Sequence, residues 1–392
     1  MTVARRMDRL GSESAFEVMA RARALEAEGR DIVHLEIGEP DFPTPPHIVE
    51  AGVEALREGY THYGPTAGDP ELREAIAAHV QRTRGVAVGP DQVVVTPGGK
   101  PIIFFTLLAL VQQGDEVIFP NPGFPIYESM IRYVGARPVP MRLDQASGFH
   151  VDLDDLASRI TDRTRLVVLN SPNNPCGSVM SYAEVAGLAS ILRGRDRVYV
   201  LSDEIYSGIV YTGGPRSIAA EPGMMERTII LDGFSKSYAM TGWRLGYGVF
   251  PPELVPHIVK LAVNSVSCAA TFTQRAAIAA LQGPQDATRA MVEEFRRRRD
   301  FMVEGLRAIP HLTCAEPEGA FYAFPNISKL GVSSARFEEL ALQEAGVALL
   351  GGQAFGRFGE GHVRLSYANS LENIAHALER LGDLVRRLAG SR

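Results

Sequence analysis

The chain has 392 residues, 45% hydrophobic and 22% charged, which allows two domains around a substantial core and excludes disordered and fibrous classes. Forty basic residues against 46 acidic ones leave a net charge of -6 with no long basic run, so nucleic acid is not expected as the main partner. Three widely spaced cysteines, Cys176, Cys268 and Cys314, form no CxxC pair, which points away from a disulfide frame or a zinc site and towards reduced thiols in a cytoplasmic protein.

In chain order, the opening MTVARRMDRLGSES carries charges with no apolar stretch behind them, so no secretory signal is expected. Helical periodicity predicts a helix from Ala15 to Glu28, followed by a Pro-rich turn, GEPDFPTPPH, at 38–47. From about residue 90 to 250, short β-rich runs alternate with helical segments: QVVV (92–95), EVIF (116–119), RLVVLN (165–170), RVYVLSD (197–203), TIILD (228–232) and LGYGVF (245–250). This alternation predicts a mainly parallel sheet sandwiched by helices. The longest apolar run, IIFFTLLALV at 102–111, is far shorter than the ~20 residues a bilayer span needs. Beyond about 285, a charged helix around VEEFRRRRDFMVEGL leads into the strands FYAF and HVRLSYA and a last helix from Leu371, and the RRRR at 296–299 reads as a solvated face. The expected division is a large α/β domain at 46–285 and a smaller α+β domain built from 1–45 and 286–392, with no internal repeat.

In an open parallel sheet, ligands bind beyond the carboxyl ends of the strands, where loops and helix N-termini converge. Here those ends carry TPGGKP, PNPGFP, SPNNPCG, DEIY and GFSK. The glycines of TPGGK precede a long apolar helix, so backbone N–H groups and the helix dipole can hold an anion, and a phosphate is the expected guest. The DE of VYVLSDEIY could instead mark a magnesium carboxylate of a nucleotide hydrolase, but that reading needs a GxxxxGK[ST] loop and TPGGKP is not one. HExxH and GxSxG are also missing, which removes the usual supports of a zinc protease or an α/β-hydrolase.

A lysine, an aspartate and a phosphate cradle remain. Pyridoxal phosphate needs that trio: an amine for its aldehyde, a carboxylate for its ring nitrogen and an anion site. Lys236, in DGFSKSYAMTGWRLGY, would supply the amine and later move the substrate's Cα proton.

With these residues assembled, the chain resembles the class I/II aminotransferases, fold-type I pyridoxal-phosphate enzymes, from LEIGEPDF near the start to HVRLSYANS near the end, with SPNNPxG, DEIY, SK and WRLGY in the family's order. The resemblance implies that Lys236 attaches the cofactor, that Asp203 keeps its ring nitrogen protonated, and that Tyr206 and Asn174 hydrogen-bond its phenolic oxygen. Phe124 would stack on the ring, and Gly99, Lys100, Ser235 and Arg244 would hold the phosphate, Gly99 and Lys100 through backbone N–H groups. Arg364 and Gly38 would take the substrate α-carboxylate, and Trp243 would pack beside Arg244. Tyr63, in THYGPTAG, resembles the tyrosine that reaches the partner subunit's cofactor, which implies a homodimer with shared active sites. Gly233 stands three residues before the lysine, where many family members place a serine or threonine. Lys100 could face a distal substrate carboxylate, whereas Phe16 favours an apolar or aromatic side chain. The expected reaction moves an amino group between an L-amino acid, aspartate foremost, and a 2-oxo acid such as 2-oxoglutarate. Aromatic or alanine-type donors, or β-elimination on the same scaffold, are the alternatives.

Overall fold

Residues 3–390 apart from Pro215 are described by a computed structural model of the chain. Twelve strands are named in chain order: β1 (Val33–His34), β2 (Val93–Thr96), β3 (Glu116–Asn121), β4 (Arg137–Arg142), β5 (Thr164–Asn170), β6 (Tyr199–Asp203), β7 (Thr228–Gly233), β8 (Gly246–Val249), β9 (Tyr322–Ala323), β10 (Val347–Ala348), β11 (Leu350–Gly351) and β12 (Val363–Ser366). β2 to β8 form one seven-stranded sheet in the order β2-β8-β7-β6-β5-β3-β4. Its inner strands are runs of Val, Ile and Leu buried on both faces, as a sheet covered by helices on each side requires.

Two features of this sheet go beyond the periodicity. β4, RPVPMR, has no alternating apolar pattern, yet it pairs in parallel with β3 as the edge of the sheet. Its two prolines cannot donate to a ladder, which suits an edge strand. β8 runs antiparallel to both β7 and β2, so residues 234–245 return the chain at one end of the sheet with no crossover helix. β2 is thereby parallel to β7, and the carboxyl ends of β2, β3, β5, β6 and β7 all open on the same side. This places TPGGK, NPGF, SPNN, Asp203 and SK around one cavity.

The smaller sheets are β1 paired in parallel with β10, and the antiparallel set β11-β12-β9. They share a core that includes Phe295, Phe321, Tyr322, Leu365 and Leu384. The helix Asp286–Ala308 turns Phe295, Met302 and Leu306 into that core. The RRRR stretch on this helix is not a uniformly solvated face. Arg297 is exposed and Arg296 half-buried, but Arg298 and Arg299 are buried. Arg298 pairs with Asp41 at 2.7 Å and Glu294 at 2.9 Å, and Arg299 donates to the Pro317 carbonyl at 2.6 Å. Four consecutive residues on a helix cover every direction around its axis, so two of the four had to turn inward, and each carries its own partners.

Candidate active site

The strand ends and the small sheets enclose a cavity of about 520 Å³. Of the residues expected to bind cofactor or substrate, Phe16, Gly38, Gly99, Lys100, Phe124, Asn174, Asp203, Tyr206, Ser235, Lys236, Arg244 and Arg364 all line it. Tyr63 does not: its side chain projects into solvent at 90% exposure. Trp243 lies outside the cavity, with its indole N–H on Thr44 at 3.0 Å and its ring over Gly52.

Lys236 is the centre of the arrangement. Its Nζ donates to the Gly38 carbonyl and lies about 6.0 Å from the Tyr206 ring. Burial lowers its pKa to about 8, with Arg364 and Arg244 pushing the same way and Glu39 opposing them. A lysine so placed holds a useful fraction of free amine near neutrality. Gly38 has to be glycine, because a Cβ there would overlap the Tyr322 hydroxyl.

Asp203 closes β6 with its carboxylate buried, at 4% exposure. Burial raises its pKa to about 6 against the lowering effect of two hydrogen bonds, from the Tyr127 hydroxyl at 2.6 Å and the Ile205 N–H at 3.2 Å. Among the described residues no cation pairs with it. Such a carboxylate suits a protonated ring nitrogen brought by a ligand. Tyr127 was not legible as a functional residue, although it lies three residues after Phe124 on the helix Pro125–Tyr133 and so shares its face. Tyr127→Phe removes the bond that lowers the Asp203 pKa. We expect kcat/KM to fall about tenfold and the acid limb of its pH profile to move upward, for the loss of a hydrogen bond to a charged group.

Behind Asp203 lies a buried ion cluster that sequence reasoning also missed. Arg84 Nε donates to Glu204 at 3.0 Å and its Nη2 to Asp232, while Ser202 and Ser217 donate to the other Glu204 oxygen. The DE pair therefore does not present two free carboxylates, since Glu204 is fully engaged by Arg84 and two serines.

At the anion end, the helix Lys100–Leu110 starts directly after Gly98 and Gly99. Gly98 has φ +86°, and a Cβ on it would strike the Arg244 guanidinium, so this glycine admits the arginine to the helix N-terminus. Arg244 itself donates to the Thr241 carbonyl at 2.7 Å. Gly233 is explained in the same way: a Cβ there would lie 2.9 Å from the Gly246 Cα, so no hydroxyl-bearing side chain fits beside β8. Ser235 and Thr241 are the hydroxyl residues of this loop that line the cavity wall.

At the other end, Arg364 on β12 is 4% exposed. It donates to Asn174 Oδ1 at 3.1 Å and to the Glu36 carbonyl, its Nε has no partner, and among the described residues no carboxylate pairs with it. The Tyr322 ring packs on the guanidinium at 4.4 Å. Tyr206 and Tyr322 share a hydrogen bond at 2.7 Å, and burial raises the pKa of both. Lys100 reaches Glu13 at 2.5 Å, near the rings of Phe16 and Phe124.

This donor set fits pyridoxal phosphate. An anion seat at a helix N-terminus, an aromatic face, a buried carboxylate and a deprotonatable lysine follow one another along the cavity wall, with an unpaired arginine beyond them for a carboxylate.

The comparisons agree. The profile of the family described as aminotransferase class I and II matches residues 30–381. An aspartate aminotransferase of Musicola paradisiaca is 38% identical over 98% of this chain and 96% of its own length. An aromatic-amino-acid aminotransferase of Thermococcus litoralis is 37% identical over 98% and 99%. The solved structure of an aspartate aminotransferase from Thermus thermophilus with maleate superposes with a TM-score of 0.93 at 39% identity, covering 98% of this chain and 100% of that one. Mostly parallel central sheet, cavity chemistry and sequence agree, and the chain belongs to the class I and II aminotransferases, pyridoxal-phosphate-dependent enzymes that move an amino group between an amino acid and a 2-oxo acid.

Proposed function

We propose that this enzyme takes aspartate as its foremost amino donor and 2-oxoglutarate as acceptor, with Arg364 as the grip on the α-carboxylate that all its substrates share. The observation that carries the reading is Arg364 itself: a guanidinium buried at the cavity wall with no carboxylate partner among the described residues. Burying an unpaired charge is costly unless a ligand completes the pair. The preference for a dicarboxylate draws support from Lys100 in the cavity wall and from relatives named for aspartate.

Pyridoxal phosphate, when bound, supplies an aldehyde for the amino group and a ring that accepts the electrons of the broken Cα–H bond. The chain's own residues do the rest. Arg364 and Asn174 orient the α-carboxylate, with the Gly38 backbone beside them. Lys236 Nζ, freed by the incoming substrate, takes the proton from Cα. Asp203, steadied by Tyr127, stays ionised and holds the ring nitrogen protonated. Tyr206 and Asn174, in the cavity wall, would hydrogen-bond the ring's phenolic oxygen, and Gly99, Lys100, Ser235 and Arg244 would hold the phosphate. Phe124 offers the ring an apolar face. The return half of the cycle runs through the same groups, with the proton delivered to the Cα of the product.

Arg364→Lys tests the grip. Replacing a planar two-pronged donor by a point charge should lower kcat/KM by roughly 10- to 150-fold, equally for aspartate, alanine and phenylalanine. Unequal losses across those donors would remove Arg364 from the shared end of the substrate.

The exposed Tyr63 supports a homodimer in which this ring reaches the partner's phosphate site, and the mass of the holoenzyme by sedimentation tests the dimer. The division into 46–285 and the two terminal parts is retained as part of the same reading, as is a cytoplasmic location. Among the described residues no helix is long and apolar enough to cross a membrane.

A further inference from the structure

Glu13 immediately precedes the helix Ser14–Ala27, where a side chain ordinarily caps the free N–H groups of the first turn, yet its carboxylate caps none of them. It turns instead to the cavity wall, 16% exposed, and meets the Lys100 ammonium at 2.5 Å. The same ammonium lies 6.0 Å from the Phe16 ring and 5.9 Å from that of Phe124. One side-chain subsite therefore holds a cation, its own counter-ion and the Phe16 ring, and it borders the Phe124 ring that would stack on the cofactor.

A transaminase passes two different substrates through one pocket in turn. A lone ammonium in that pocket would suit a second carboxylate but would oppose an apolar side chain, which strips the ammonium of water and returns nothing. With Glu13 seated on Lys100 the subsite is neutral and flanked by rings. With Glu13 displaced, Lys100 is free for a distal carboxylate. We propose that Glu13 is a specificity-determining residue, an internal counter-ion that lets this site take neutral aromatic amino acids when seated and yields Lys100 to dicarboxylates when displaced. The proposal rests on the reading that Lys100 faces the substrate side chain. The dicarboxylate competes with Glu13 for one cation, so the chain's own carboxylate sets how strongly acidic substrates are preferred.

The test uses the holoenzyme, wild type, Glu13→Gln and Lys100→Ala. The probes are two unreactive acids, succinate with a second carboxylate and 3-phenylpropionate with a ring. Calorimetry gives their Kd values, and kcat/KM is measured for aspartate and phenylalanine alongside. Glu13→Gln removes the competitor and keeps the shape, so succinate should tighten by about 5- to 50-fold relative to 3-phenylpropionate, with the aspartate-to-phenylalanine ratio moving the same way. If that ratio stays within about twofold or moves towards the aromatic acid while Lys100→Ala does weaken succinate selectively, the counter-ion role is overturned and the placement of Lys100 stands. If Lys100→Ala leaves the ratio unchanged, the reading beneath the proposal fails and the proposal with it.

Discussion

Lys236→Ala should lose at least about 10⁴-fold in kcat while the protein stays folded and still takes up pyridoxal phosphate. On the proposed assignment the lysine would do two jobs at one atom, its Nζ carrying the cofactor's attachment and moving the Cα proton, and among the described residues no second free amine lines the cavity. The other lysines of the chain are Lys100, Lys260 and Lys329, of which only Lys100 also lines the cavity, and its ammonium is engaged by Glu13. Gly99 and Arg244, which would hold the phosphate, and the carboxylate of Asp203 line the cavity independently of the Lys236 side chain, so noncovalent uptake should survive. Equilibrium dialysis and steady-state kinetics on the same preparation measure both halves. Borohydride reduction of the wild type followed by peptide mapping should place the cofactor on Lys236, and attachment to any other lysine would overturn the assignment of the site.

The lowered pKa of Lys236 gives the same residue a second readout. At pH 7 a group with a pKa of about 8 is roughly one-tenth free amine, whereas an ordinary lysine near 10.4 is free in fewer than about one molecule in a thousand. In the apoenzyme, acylation of Lys236 should therefore rise with pH to a midpoint near 8. With so few lysines, mass spectrometry resolves each site separately.

Asp203→Asn should lower kcat by roughly 10²–10⁴-fold, because the amide keeps the shape and the bond from Tyr127 but no longer holds the ring nitrogen protonated. The same change should stabilise the protein when the cofactor is absent. The folded pKa of Asp203 is raised from 3.8 to about 6 by burial, so the folded chain binds this proton more tightly than the unfolded one. The resulting stability is present in full below about pH 4 and is lost as pH rises through about 6. At pH 7 the ionised, unpaired carboxylate costs the apoenzyme on the order of 2–3 kcal/mol, which the asparagine does not incur. The stability of the variant minus that of the wild type should therefore grow by that amount between pH 4 and pH 7, and pyridoxal phosphate should stabilise the wild type more than the variant. Denaturant titrations of both proteins at the two pH values, with and without cofactor, measure it. A difference independent of pH would mean that Asp203 is not a buried charge awaiting a cation.

The reaction class and the order of the parts are legible in the amino-acid sequence. Turn motifs such as TPGGK and SPNNP, the acidic end of VYVLSD and the lysine of GFSK are local features, and their meaning depends only on standing at strand ends that apolar runs make visible. Six of the seven strands of the large sheet and the two long terminal helices are legible for the same reason, since their periodicity is set by burial along a single segment. Features that depend on packing between segments emerge only in the folded chain. β4 forms from a proline-containing run with no apolar alternation because β3 offers it an edge, and the reversal at β8 brings the ends of β2 and β7 to one side. Arg298 is buried against Asp41, 257 residues away, and Arg299 against the Pro317 carbonyl beyond the end of its own helix, and Gly233 is glycine because Gly246 passes within van der Waals distance. Tyr127 on Asp203, Arg84 on Glu204 and Glu13 on Lys100 are pairings across 76, 120 and 87 residues. No local pattern encodes such contacts, because the energy that selects a partner for a buried charge exists only once the fold has removed the water around it.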